Sequence, residues 1–192
     1  MAVRLAVLVL VMACLTGCMS TLDGVGIVGE PAIADDTDTV RTKQETEIVR
    51  DPHSGITVVS GPIIAFTNGD AFHNVRLRAW IDPRKPRGND AFAIVVRGKF
   101  HRRVYLSAAF SRGEKLPLRK HDAERVCDGT CVVYETVEVP MDEQDLIGHS
   151  ASGITFRVSG RRDTIVVRVP AGHFAGFHAS YAAERDGLMP PR

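Results

Sequence analysis

No apolar run in this chain is long enough to cross a bilayer. The longest, Leu5 to Leu15, holds eleven residues, where a spanning helix needs about 20. Charge of one sign is also missing: 24 Lys and Arg stand against 23 Asp and Glu, which argues against a nucleic-acid partner, since such a protein presents a basic face. The seven histidines are dispersed, with no His-Glu-x-x-His and no pair four residues apart, so a zinc site on one helix face is excluded and no cofactor is expected. Asp35, Asp36 and Asp38 lack the glycine and distal glutamate of an EF-hand loop and read as solvated acids. Between successive strand-like runs there is no helical stretch of ten or more residues, which disfavours a parallel α/β fold.

Alternation of period two fills the middle of the chain. Val75, Leu77, Ala79 and Ile81 share one face, while Arg76, Arg78 and Trp80 take the other. The same rule organises Phe92, Ile94 and Val96; Val104, Leu106, Ala108 and Phe110; Ile154, Phe156 and Val158; and Ile165, Val167 and Val169. These are strands with one face suited to a core. Shorter runs at residues 48–50, 56–60, 63–66 and 132–139, separated by turn-like Asn68-Gly69, Asp82-Pro83, Arg87-Gly88-Asn89 and Ser111-Arg112-Gly113, bring the expectation to about eight or nine strands, mostly antiparallel. The fold class is mainly β, a β-sandwich or partly open barrel. Ser159-Gly160-Arg161-Arg162 marks the clearest hairpin.

Two short helices interrupt the pattern. Residues 140–150 carry Asp142, Glu143 and Asp145 at the front, where the helix dipole favours acids. Residues 170–181 start on Pro170 and set Phe174, Phe177 and Tyr181 in one apolar stripe. Gly172 and Gly176 lower the propensity of that second helix, so packing must hold it.

The first eighteen residues carry an address. Arg4 precedes the apolar segment, and Leu15-Thr16-Gly17-Cys18 follows it; the arrangement reads as an export signal. The tetrapeptide resembles the lipobox of bacterial lipoproteins. That resemblance implies cleavage before Cys18, a diacylglyceryl group on the Cys18 thiol and a membrane partner reached through this lipid. Met19, rather than Asp, next to the lipidated cysteine implies release to the outer membrane, with the domain facing the periplasm. Several acyl chains hold a protein far more firmly than one, at about 0.8 kcal/mol per buried CH₂.

The expected layout is a signal over residues 1–17, a flexible tether over 18–46, one β-rich domain over 47–182 and a loose tail over 183–192. Glycines, Pro31 and the polar run Ala34 to Thr39 mark the tether. Cys127 and Cys131 flank Asp128-Gly129, a turn pair that brings the two thiols together; an exported location permits the disulfide.

Chemistry is harder to read. Gly148-His149-Ser150-Ala151-Ser152-Gly153 approaches a serine elbow, but its fifth position is Ser152 and it leaves a helix to enter a strand, the reverse of the required context. Four positive clusters stand out: Arg84-Lys85-Pro86-Arg87, Lys99 to Arg103, Arg119-Lys120-His121 and Arg161-Arg162. They suit phosphates, an anionic envelope polymer or an envelope protein; equally, they suit solvated loops and strand edges. The functional expectation is therefore a lipid-anchored envelope protein with a structural or binding role. A secreted hydrolase with a nonlocal site and a carrier of a small hydrophobic ligand are the alternatives.

Overall fold

The computed structural model describes residues 36–68 and 71–188. The signal, Cys18 and the tether up to residue 35 lie outside the described residues. In chain order the elements are α1 (Asp36–Glu45), β1 (Glu47–Arg50), β2 (Thr57–Ser60), β3 (Ile64–Asn68), β4 (Ala71–Ile81), β5 (Ala91–Phe100), β6 (Ala108–Ser111), β7 (Glu114–Leu116), β8 (Arg119–Lys120), β9 (Glu124–Asp128), β10 (Thr130–Met141), α2 (Glu143–Ser152), β11 (Ile154–Ser159), β12 (Thr164–Val169) and α3 (Ala171–Gly187). All strand pairings are antiparallel.

Two sheets form a sandwich, not a closed barrel. The larger has eight strands in the order β1-β2-β4-β5-β10-β8; β3 shares an edge of β4 with β2, and β9 shares an edge of β10 with β8. The smaller runs β12-β11-β6-β7. Alternation assigns Val75, Leu77, Ala79 and Ile81 of β4, Phe92, Ile94 and Val96 of β5, and Val137 and Val139 of β10 to the inner face of the large sheet, all buried. Phe156 and Val158 of β11 and Ile165, Val167 and Val169 of β12 face them from the small sheet. The α3 stripe completes the core: Phe174, Phe177 and Tyr181 are wholly covered. Burying an aromatic or branched side chain contributes about 1.5–3 kcal/mol, so this interior is the main source of stability.

The β11–β12 hairpin follows its alternation, in register from Ile154↔Val169 to Ser159↔Thr164. Cys127 and Cys131 are disulfide-bonded across the β9–β10 turn, where Gly129 takes a φ of 70°.

Several boundaries differ from expectation. There are twelve strands and three helices among the described residues, because β7, β8 and β9 are short, exposed and polar and show no alternation. The tether expected to reach residue 46 is helical from Asp36. Its one large apolar side chain, Val40, is 54% exposed, so no stripe announces it. Instead α1 lies backbone-close on α3: a Cβ at Gly176 would stand 2.8 Å from the Thr42 Cβ and collide with the Thr39 carbonyl, and one at Gly172 would meet the Asp38 Cβ at 2.9 Å. The two glycines that weaken α3 as a helix make room for α1.

At the other end, the loose tail expected from residue 183 is helical to Gly187. Arg185 is buried there; its Nε lies 3.1 Å from Asp90, and its terminal nitrogens donate to the Asp82 and Lys85 carbonyls. Tyr181 donates its hydroxyl to the same Asp90 at 2.8 Å, and burial with that contact pushes its pKa up. The helix expected from residue 140 starts at Glu143, since β10 runs to Met141 and Asp142 caps the helix in a reciprocal box with Asp145.

One strand breaks where a strand was expected. Val104 and Leu106 are buried, but so is Ala109, while Ala108 and Phe110 are only half-buried. The phase of the alternation slips between Leu106 and Ala109, and only Ala108–Ser111 is strand.

Candidate functional site

The slip is produced by a charged residue on the core side of the large sheet. Glu135 stands on β10 between Val133 and Val137, a position that alternation reserves for apolar side chains, and it is 6% exposed. Its Oε1 accepts the backbone N–H groups of Val104 and Tyr105 at 2.5 and 2.9 Å, and its Oε2 accepts that of Leu106 at 2.8 Å. Three consecutive main-chain donors pointed at one carboxylate cannot belong to a strand, whose successive N–H groups point in opposite directions. The chain turns instead, and Tyr105 takes a φ of 63°, the left-handed region that costs an L-residue roughly 1–2 kcal/mol. Such strain persists only where surrounding contacts impose it and gathers at functional sites.

The β11–β12 turn locks the segment from the other side. Arg161 N–H donates to the Val104 carbonyl and Ser107 N–H to the Ser159 carbonyl, both at 2.9 Å. Gly160 permits this approach, since a Cβ there would stand 2.7 Å from the Val104 oxygen.

Held in this way, the Tyr105 ring projects outward, 41% exposed. The Arg103 guanidinium lies 4.8 Å and that of Arg161 5.5 Å from the ring centroid, both cation–π contacts. Lys120 and His121 form the facing wall, positioned by the pairing of β8 with β10 and by the His121 N–H bond to the Thr136 carbonyl at 3.0 Å. The cleft encloses about 350 Å³. His121 Nε2 lies 3.1 Å from Glu138, and the oxygens of Glu135 are occupied by the backbone. Among the described residues, Arg103, Arg161 and Lys120 have no carboxylate partner.

Three of the four positive clusters read from the sequence therefore meet at one cleft, two of them at its aromatic ring. In the fourth, two of the three cations are paired: Arg84 is bidentate to Asp82, and Arg87 pairs with Asp186 at 2.7 Å. The Arg84 contact holds the Asp82 carboxyl down at about 2. Sequence reasoning missed Glu135 and Tyr105. The available signal was a glutamate at an inward position of an otherwise apolar strand face.

The near-elbow at residues 148–153 lines a wide groove of about 1410 Å³ between α2, α3 and the small sheet. Ser150 donates its hydroxyl to the Leu146 carbonyl at 3.0 Å, and Ser152 to that of Gly153 at 3.2 Å. The His149 ring packs 5.2 Å from Phe174, and the helix ends at Gly153 with a φ of 65°. These residues form the polar end of a helix feeding a strand.

The described residues contain no group of three or more His, Cys, Asp or Glu side chains placed to hold a metal, and no described helix is long and apolar enough to cross a membrane. No family model, curated protein or solved structure matches this chain.

Proposed function

We propose that this chain is a lipid-anchored envelope protein, attached to the outer membrane through Cys18 and facing the periplasm, whose β-sandwich captures an anionic group of another envelope component in the Tyr105 cleft. One observation carries the binding role: Arg103 and Arg161 flank a tyrosine held in a strained backbone conformation and Lys120 lines the same cleft, the three cations being distant in sequence and, among the described residues, without carboxylate partners. Two guanidiniums offer bidentate donors to a phosphate or carboxylate, and Glu135 spends its acceptors on the backbone, which keeps its oxygens from competing. The anchor rests on Leu15-Thr16-Gly17-Cys18 and the apolar run before it.

Equilibrium binding of inorganic phosphate to the full chain in detergent tests the cleft. Arg103→Gln with Arg161→Gln should weaken binding at least tenfold, and Arg84→Gln, already satisfied by Asp82, should leave it unchanged. Equal affinity in all three proteins refutes the cleft. Mass analysis of the native amino terminus tests the anchor independently; an unmodified Cys18 or a retained leader rejects it.

A further inference from the structure

The large sheet has a second face, turned away from the core. On it β4 places Phe72, Asn74, Arg76, Arg78 and Trp80 at alternate positions, and β5 adds Arg97 and Lys99. Register opposes Arg78 to Ala93, Arg76 to Val95, Asn74 to Arg97 and Phe72 to Lys99. Successive same-face residues on one strand lie about 7 Å apart, and diagonal neighbours across a pair about 7–8 Å. Arg78, Arg76, Arg97 and Lys99 thus form one oblique line of cations roughly 20 Å long. Aromatic rings stand at both ends: Trp80, with the Arg78 guanidinium 5.9 Å from its centroid, and Tyr134 of β10, beneath Arg97 at 4.4 Å.

The fold gives these cations little in return. Among the described residues only Arg97 is ion-paired, to Glu124 at 2.8 Å; the other nearby acids are Glu47 on β1 and Glu138, which is engaged with His121. Arg78 Nε and Asn74 Oδ1 are buried without a hydrogen-bond partner. Burial, together with the Arg78 and Arg97 charges, lowers the Arg76 pKa against the opposing pull of Glu47. Protection against edge-to-edge pairing explains cations on outer strands, but β4 and β5 are interior strands of this sheet. Four like charges in a row along two interior strands fit an extended ligand with repeated acceptors.

We propose that Arg78, Arg76, Arg97 and Lys99, with Trp80 and Tyr134, form a track for an acidic polysaccharide. Guanidiniums pair with its carboxylates, and the indole and phenol rings lie against the apolar faces of its sugars. The choice of a polysaccharide over a single-stranded nucleic acid, which also exploits cations and rings, rests on the envelope address proposed above; the track itself does not.

Trp80 is the only tryptophan and does not line the Tyr105 cleft, so its emission reports this face alone. Full-length protein in detergent is titrated with polygalacturonate, neutral dextran and an oligothymidylate. Polygalacturonate should shift Trp80 emission saturably, more weakly as salt rises, and dextran should not. Arg76→Gln with Arg78→Gln should weaken the interaction at least tenfold, with Arg76→Lys and Arg78→Lys keeping most of it. If the double glutamine variant fails to fold, the exposed pair Arg97→Gln and Lys99→Gln should show the same loss. Unchanged affinity in a folded glutamine variant, a dextran response equal to that of polygalacturonate, or tighter binding of the oligonucleotide at equal salt overturns the proposal.

Discussion

Replacing Glu135 with glutamine changes one atom of the side chain and should test whether a buried carboxylate shapes the cleft. In its best orientation the amide keeps an oxygen toward Val104 and Tyr105 and turns its NH₂ toward the Leu106 N–H, which loses the acceptor it has at 2.8 Å. A hydrogen bond to a charged group contributes about 1.5–3 kcal/mol, and a buried donor left unmet costs about 1–3 kcal/mol. The sum is about 2.5–6 kcal/mol, a large part of the roughly 5–15 kcal/mol available to a domain. For a chain of this size it lowers the melting temperature by on the order of 10 °C. Thermal denaturation of the full chain followed by circular dichroism measures this directly, and phosphate affinity of the folded variant should fall with it. Tyr105→Gly is the companion: relieved left-handed strain and added chain entropy offset each other to within about 1 kcal/mol, so it should melt near the wild type while losing the ring. A glutamine variant melting within about 2 °C of wild type, where the scaling above places the loss at a kilocalorie or less, would refute the role assigned to Glu135.

Four other outcomes are expected. Gly176→Ala should detach α1, because the new methyl meets the Thr39 carbonyl and the Thr42 Cβ; faster amide exchange across residues 36–45 with little change in the sheets is the signature, and unaltered exchange contradicts the close packing. His173, whose Nδ1 lies 3.2 Å from Thr42 Oγ1, has its pKa lowered, first by burial and next by Arg41, against the raising effects of Asp38, the Pro62 carbonyl and Glu45. The folded state thus favours neutral imidazole: its contribution is complete above the unfolded value of about 6.5 and declines as pH falls below it, so wild type should lose more stability than His173→Gln between pH 7.5 and 5, and parallel losses would exclude this histidine. Asp90→Ala strands the buried Arg185 and should cost about 3–5 kcal/mol, read by urea denaturation; a midpoint shift equivalent to under 1 kcal/mol would show the pair to be dispensable. Opening the five-residue Cys127–Cys131 loop removes a constraint of about 2 kcal/mol, and because β9 is exposed throughout, double Cys→Ser substitution should speed amide exchange in the β9–β10 hairpin while sparing the core; global unfolding would contradict that.

Where one side chain lies inside and the next outside, the sequence announces the fold: β11, β12 and the α3 stripe of Phe174, Phe177 and Tyr181 follow this rule because burial drives it. α1 was illegible because it docks through Thr42 and two glycines on its partner rather than through an apolar face. β9 was illegible because every residue in it is exposed. The cleft was half legible. Its cations stand out as clusters, but their convergence depends on a chain reversal imposed by Glu135, and no local pattern around Tyr105 encodes a contact thirty residues away. Alternation on β4 had already placed Arg76, Arg78 and Trp80 together; that β4 lies in the interior of the sheet needed its partners on both sides.

The position of α3 has a consequence for the order in which the domain folds. Phe174, Phe177, Tyr181 and Arg185 follow every strand of both sheets in the chain, yet they close the interior between both sheets and hold Asp90. Until α3 docks, the core between the sheets is open, so the strands that precede it stay loose until the helix that follows them arrives.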